Sequence, residues 1–292
     1  MRAVSEPLPY RDFFYPLNVF MHILTAEEGG VRYLHYGLFE HEDEPIGDAQ
    51  ERSTSMLLER LPPPPARLLE VGIGLATTLN RLVAMGYDAE GITPDEKQIA
   101  MVRARYGDAL RVHSAAFENF SSDRTYDAIV FQESSQYIDS DALFAKAAAL
   151  SPLVIVLDEF AMQPLDTPGA LHSYAGFIEA AQRHGFEIVE DLDLSKMAPP
   201  TVRYFIKRLP AWRERLIADV GITNEQVDEL ITNGDVYVKR YEEGVYAYRL
   251  VRCEARGTRY EARVKASTST SYLVPRTSSL VTVVSRRRNP GT

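Results

Sequence analysis

Glu70, Gly72 and Gly74 stand together in the stretch Leu68-Leu-Glu-Val-Gly-Ile-Gly-Leu-Ala-Thr-Thr78. An apolar run ends there in a carboxylate and two glycines one residue apart, and the helix-compatible stretch Thr77 to Met85 follows. The pattern predicts a buried strand that leaves through a tight turn into a helix. Glycines lack Cβ atoms, so a ligand can approach the backbone closely, and the helix N-terminus offers free N–H groups. A nucleotide-like ligand suits this turn. A dinucleotide fingerprint would need a third glycine at the sixth position, and counted from Gly72 that position is Thr77. Glu70 also suits a cationic or hydroxyl-bearing ligand better than a pyrophosphate. A strand-turn-helix joint that holds no ligand is the competing reading.

Ligands of open α/β sheets bind at the carboxyl ends of the strands, and further polar residues fall at such positions. The second strand exit supplies Thr93, Pro94 and, one helical turn on, Gln98. The fourth ends in Phe131-Gln-Glu-Ser-Ser-Gln-Tyr-Ile138, where Glu133 is the candidate general base for a nucleophile that must lose a proton. His35 and Tyr36 are candidate gate or substrate contacts, and Tyr137 completes the candidate catalytic group. Asp158 and Glu159 form a carboxylate pair that could meet an amine or simply be solvated. His172 and Tyr174 either line a pocket or begin a helix. Tyr33, Tyr36, Phe39, Tyr137, Tyr237, Tyr241, Tyr246 and Tyr248 offer aromatic walls with hydroxyl tips, which suit a small cationic or aromatic molecule. The six histidines show no metal-ligand spacing, so no metal is expected.

These residues must be held by a scaffold, and 292 residues suffice for one α/β domain with additions or for two small domains. The net charge is −9, and the segment from Glu254 onward carries eight Lys/Arg against two Glu, which leaves the body more acidic still. An acidic body argues against nucleic acid as the main partner. Cys253 is the lone cysteine, which excludes an intrachain disulfide and any cysteine-based zinc site. No apolar run approaches a membrane span, so no stable membrane insertion is expected. The N-terminus lacks a signal-peptide apolar region, and a cytoplasmic location is the expectation.

From Ala66 onward strand-like runs alternate with helical patterns, the signature of a parallel α/β sheet. The strands read as Arg67 to Gly72, Asp88 to Thr93, Leu110 to Ala115, Tyr126 to Gln132, Leu153 to Asp158, Phe186 to Leu192 and Val245 to Arg252. The helices between them read as Thr77 to Met85, Pro94 to Tyr106, Ser140 to Leu150 and His172 to His184. Before the sheet, Asp12 to Leu24 suits a short helix and Ile46 to Leu61 a second one, stopped by the four prolines Pro62 to Pro65. Two helices, Thr201 to Val220 and Asn224 to Asn233, interrupt the alternation before the last strand. They suit a lid or pocket wall, or a hairpin packed for stability.

Several motifs together resemble one family. Motif I of the class I S-adenosylmethionine-dependent methyltransferases resembles the turn at Glu70, Gly72 and Gly74, with Ala76 where many members have a third glycine. Gly91-Ile-Thr-Pro-Asp-Glu-Lys-Gln98 and Ala116-Phe-Glu-Asn-Phe120 resemble segments of the cyclopropane fatty acid synthase and mycolic acid methyltransferase group. Tyr33 to Glu40, followed by Asp48-Ala-Gln50, is similar to that group's N-terminal cap. The resemblance implies S-adenosylmethionine as cofactor, held by Tyr33, Glu70, Gly72, Gly74, Thr93, Pro94, Gln98, Phe117, Glu118 and Gln132. Phe117 would stack on the adenine and Glu118 would accept from its amino group. It also implies a Rossmann-like, seven-stranded, mostly parallel sheet with the last strand antiparallel.

In the cyclopropane synthases a Phe-Glu-His sequence follows the fourth strand, and its Glu helps to hold a bicarbonate. Ser135, Gln136 and Tyr137 stand approximately there in this chain, so simple methyl transfer fits better than cyclopropanation. The His-Tyr-Gly run of the cap and the segment Asp191 to Val202 also resemble small-molecule amine and natural-product methyltransferases. The expected organisation is a helical cap at 1–65, a cofactor-binding core at 66–192, a helical lid at 193–243, a final strand at 244–253 and an extension at 254–292. The expected function is methylation of a small-molecule substrate at nitrogen, carbon or oxygen, in biosynthesis. A fatty-acyl lipid methyltransferase and a catalytically silent cofactor-binding subunit are the alternatives. For the Ser/Thr-rich tail, an added hairpin, an oligomer contact and partial disorder all stay open, as does a homodimer for the chain.

Overall fold

The computed structural model describes residues 10–165 and 171–257, all within one compact unit. Two helices come first, α1 (Leu17–Glu28) and α2 (Ile46–Leu58). The alternating part follows as β1 (Arg67–Val71), α3 (Thr77–Ala84), β2 (Asp88–Thr93), α4 (Glu96–Tyr106), β3 (Arg111–Ser114), β4 (Ala128–Gln132), α5 (Ser140–Leu150), β5 (Leu153–Ala161), α6 (Tyr174–Arg183) and β6 (Phe186–Asp193). Two long helices, α7 (Pro199–Arg215) and α8 (Asn224–Glu242), then lead into β7 (Tyr246–Ala255).

The seven strands form one sheet in the order β3-β2-β1-β4-β5-β7-β6. The first five strands run parallel, and β7 lies antiparallel between β5 and β6. Chain progression runs outward from β1 toward β3 and from β4 toward β5. This reversal opens a crevice at the carboxyl ends of β1 and β4, the place where such sheets hold ligands. In register, Glu70 lies beside Gly91 on one side and Val130 on the other.

Burial follows position in the sheet. Every residue of β4 and of β5 is buried, Asp158 and Glu159 included, because helices cover both faces. In the edge strand β6 only Phe186 is buried, and half-buried positions alternate with exposed ones after it. Phe131, Phe144, Phe160, Phe177 and Phe186 fill the core on one side of the sheet. A second core joins α1 to α7 and the turn after it through Val19, Ile23, Leu209, Leu216 and Val220.

Several boundaries depart from the sequence expectation for local reasons. The helix expected to begin at Pro94 begins at Glu96, because the Asp95 carboxylate accepts from the N–H groups of Lys97 and Gln98 and makes Asp95 the cap. Ser173 likewise caps α6, which starts two residues after His172. The lid helix expected to stop at Asn233 continues through Gly234 to Glu242. Gly234 is there for packing: a Cβ on it would stand 2.6 Å from Ile206 Cδ1, so the glycine lets α7 and α8 approach closely. The strand-like pieces expected at 260–264 and 279–284 lie outside the described residues. Among the described residues no helix is long and apolar enough to cross a membrane.

Candidate active site

Three strand exits build one cavity. β1 leaves through Gly72, whose φ of 77° lies in the left-handed region and whose Hα side faces Ser134. A Cβ at Gly72 would collide with Ser134 Cβ, and the Ser134 hydroxyl donates to the Val71 carbonyl at 2.5 Å. The β1 and β4 exits are thus sewn together. Ala76 also holds a left-handed backbone, φ 55°, just before α3. At the second exit the Thr93 hydroxyl donates to Gln98 Oε1 at 2.9 Å, which fixes the first turn of α4.

The resulting cavity encloses about 410 Å³, within the usual range for a small ligand. All ten residues expected to hold a cofactor line it: Tyr33, Glu70, Gly72, Gly74, Thr93, Pro94, Gln98, Phe117, Glu118 and Gln132. Their states differ. Glu70 is 3 % exposed, and its Oε2 is buried without a hydrogen-bond partner. Burial pushes its carboxyl up to about 8. A buried lone carboxylate oxygen beside a glycine turn can receive a donor from a ligand. Phe117 is buried, with its ring edge-to-face on Phe131 at 5.3 Å, whereas Glu118 is exposed. The Tyr33 hydroxyl is engaged by Glu51 Oε2 at 2.6 Å. Gln132 points its amide toward α2, at 3.3 Å from Ser53 Oγ.

A second cavity of about 430 Å³ adjoins the first. Its walls come from α1, α7 and α8, through Phe20, Met21, Leu24, Phe205, Ile206 and Leu230, with Tyr36 and Tyr237 at a polar end. Leu17, Tyr33, Leu34 and His35 line both cavities and mark the junction. The two inserted helices therefore form a pocket wall.

Of the candidate catalytic residues, Glu133, His35 and Tyr137 line the first cavity, and His35 and Tyr36 line the second. Glu133 follows β4 with a φ of 53°, an uncommon conformation for a side-chain-bearing residue. Its Oε1 accepts from the Tyr36 N–H and from the Tyr248 hydroxyl, both at 2.6 Å. Burial, then the charge of Glu159, raises the Glu133 carboxyl well above the usual range. His35 is a packed residue with both ring nitrogens engaged. Its Nδ1–H donates to the Tyr36 carbonyl at 2.8 Å, and Nε2 accepts from the Thr54 hydroxyl at 3.0 Å. Burial lowers its pKa to about 4, so the ring is neutral at pH 7. Tyr137 is exposed at the rim.

The pair Asp158 and Glu159 is buried rather than solvated, and successive residues on a strand point to opposite faces. Asp158 accepts from the Ser135 N–H at 2.9 Å and hydroxyl at 2.6 Å, holding the turn after β4. Glu159 faces α8, accepting from the hydroxyls of Tyr237, at 2.6 Å, and Tyr241. His172 and Tyr174 line neither cavity. His172 bridges Ser140 and the Ser135 carbonyl, and Tyr174 bonds Asp191. Glu159 with its two tyrosines is the cluster that sequence reasoning did not assemble.

No family model and no curated protein matches the chain by sequence. Solved structures do match its shape. A mycolic acid cyclopropane synthase, in a crystal structure complexed with SAH and CTAB, is 21% identical at a TM-score of 0.65, over 75% of this chain and 89% of that one. A [4+2]-cyclase is 20% identical at 0.65, over 80% and 92%. A sarcosine dimethylglycine methyltransferase assigned in Galdieria sulphuraria is 15% identical at 0.69, over 80% and 97%. Strand order, the antiparallel β7 and these likenesses agree: the chain has the Rossmann-like fold of the class I S-adenosylmethionine-dependent methyltransferases.

Proposed function

We propose that the protein is an S-adenosylmethionine-dependent methyltransferase acting on a small molecule with an apolar body. The observation that carries this reading is the pair of adjoining cavities, one built on the glycine turn and richer in polar groups, the other more apolar and walled by α1, α7 and α8. The cofactor fits the first by the chemistry of its donor set. The partnerless Glu70 Oε2 would take a hydroxyl or ammonium group, Gly72 gives the turn its left-handed backbone, and Thr93 with Gln98 offers polar contacts. When bound, the cofactor supplies an activated methyl group on a sulfonium.

The chain's own task is then alignment and the exclusion of water, an effect that model reactions put at about 7–11 kcal/mol. Leu17, Leu34 and His35 at the junction narrow the path between the two ligands. Glu133 holds the cap segment at Tyr36 against Tyr248 of the last strand. Because burial and the charge of Glu159 favour the protonated form of Glu133, its proposed role is to position this junction, and it becomes a general base only where a nearby cation ionises it. Tyr36 is the proposed substrate contact and Tyr137 a contact at the rim.

The apolar wall supports a hydrocarbon-rich acceptor and moves the reading away from a bare amine. A fatty-acyl acceptor is the second reading, favoured by Phe20, Met21, Leu24, Phe205, Ile206 and Leu230. Titration calorimetry with S-adenosylmethionine and S-adenosylhomocysteine on folded protein tests the first claim. Saturable one-to-one binding is expected, and no detectable heat for either ligand overturns it. Binding without turnover across a broad acceptor panel would favour the silent subunit.

A further inference from the structure

The apolar cavity has a polar end, and that end is wired to a buried carboxylate. Tyr237 on α8 lines the cavity and donates its hydroxyl to Glu159 Oε2 at 2.6 Å. Tyr36 lines the same end of the cavity. Tyr241 donates to the other oxygen of Glu159 but does not line the cavity. Tyr36 directly follows His35, which lines both cavities, so this end sits at the junction where a methyl group would be delivered.

From this geometry we infer that Tyr237, backed by Glu159, receives the hydroxyl of an apolar acceptor and takes its proton. The inference rests on the methyltransferase reading and names the class of its acceptor: a hydrocarbon-rich molecule with one phenol-like hydroxyl. The acceptor O–H bond breaks and its proton moves to Tyr237 Oη while the Tyr237 proton moves to Glu159 Oε2. Glu159 ends as the carboxylic acid, and the electron pair of the O–H bond stays on the acceptor oxygen as its nucleophilic lone pair. Burial raises the Glu159 carboxyl to about 7, within reach of such a transfer at neutral pH. Tyr237 is the catalytic residue of this step and Glu159 its positioning residue.

The test compares two probes of one shape, 4-pentylphenol and its methyl ether 4-pentylanisole, titrated into the protein with and without saturating S-adenosylhomocysteine. Wild-type protein is expected to prefer the phenol by about tenfold, the size of one buried hydrogen bond. In Tyr237→Phe and in Glu159→Gln the preference should fall to near unity. Tyr241→Phe, which removes a bond to Glu159 away from the cavity, should keep it. A merely structural defect weakens both probes alike and leaves their ratio unchanged. A ratio that survives in both Tyr237→Phe and Glu159→Gln, no phenol preference in wild type, or loss of the ratio in Tyr241→Phe would each overturn the inference. Failure of S-adenosylhomocysteine to bind would strike the cofactor reading alone, because the probe titration without it still reports on Tyr237.

Discussion

Gly72 and Ser134, 62 positions apart, pack so closely that no Cβ can be added at Gly72 without meeting the serine Cβ. Gly72 also needs its left-handed φ of 77°, so two independent penalties attend a side chain there. Gly72→Ala is expected to lower stability by about 1–3 kcal/mol, combining the conformational cost with overpacking. It should also weaken S-adenosylhomocysteine binding by shifting the turn. Adding Ser134→Gly should recover part of the stability by removing the collision, while the φ penalty remains. Chemical denaturation of the single and double variants checks this, and full recovery would show that the backbone conformation costs nothing.

Glu70 makes stability fall as pH rises. Its folded pKa of about 8 lies above the ordinary 4.5, so between those values the folded chain holds a proton that the unfolded chain has released. The contribution is fully present below pH 4.5 and is lost as pH rises through 8. Glu70→Gln, which cannot ionise, should therefore gain stability relative to wild type across this window, by an amount on the order of a few kcal/mol. Denaturation midpoints of both proteins from pH 5 to 9 check it, and parallel curves would contradict it. At pH 7 a ligand ammonium placed against Glu70 should also release a proton, visible as buffer-dependent binding heats that Glu70→Gln abolishes.

Much of this site was legible in the sequence because its parts are local. The turn at Glu70, Gly72 and Gly74 and the Thr93–Gln98 pair each fit within a few residues, where chain geometry alone fixes who meets whom. The contacts of Glu133 with Tyr36 and Tyr248 span 97 and 115 positions, and nothing short of the folded sheet brings them together. Gly234 misled the reading of α8, since an interior glycine signals a helix end unless a partner helix needs the space. Asp158 and Glu159 looked alike as neighbours, yet the period-two strand sent them to opposite faces with different partners.

Glu133→Ala should detach the cap segment. It leaves the Tyr36 N–H and the buried Tyr248 hydroxyl without their acceptor, a loss of about 1–3 kcal/mol for a buried unsatisfied group. Amide exchange at Tyr36 should accelerate in Glu133→Ala while exchange in β5 stays unchanged. Glu133→Gln retains an acceptor oxygen and should exchange much as wild type does. Equal protection of Tyr36 in all three proteins would contradict the bridging role.

Gly234→Ala should narrow the apolar cavity without touching the one at the glycine turn. The new Cβ, 2.6 Å from Ile206 Cδ1, displaces the end of a flexible side chain that lines the cavity wall. Apolar probe binding is expected to weaken several-fold, with S-adenosylhomocysteine affinity unchanged, and Ile206→Val in the same chain should restore part of it. Loss of affinity for both ligands would show that the helices shift as a body.

A crystal structure with S-adenosylhomocysteine tests most directly whether the cavity at the β1, β2 and β4 exits holds S-adenosylmethionine. The adenosine is expected between Thr93, Gln98, Phe117 and Glu118, and the amino-acid end beside Glu70 and the turn at Gly72. The sulfur should face the junction at Leu34, His35 and Glu133. Density for the ligand outside this cavity, or bound with its sulfur turned away from the apolar pocket, would contradict it.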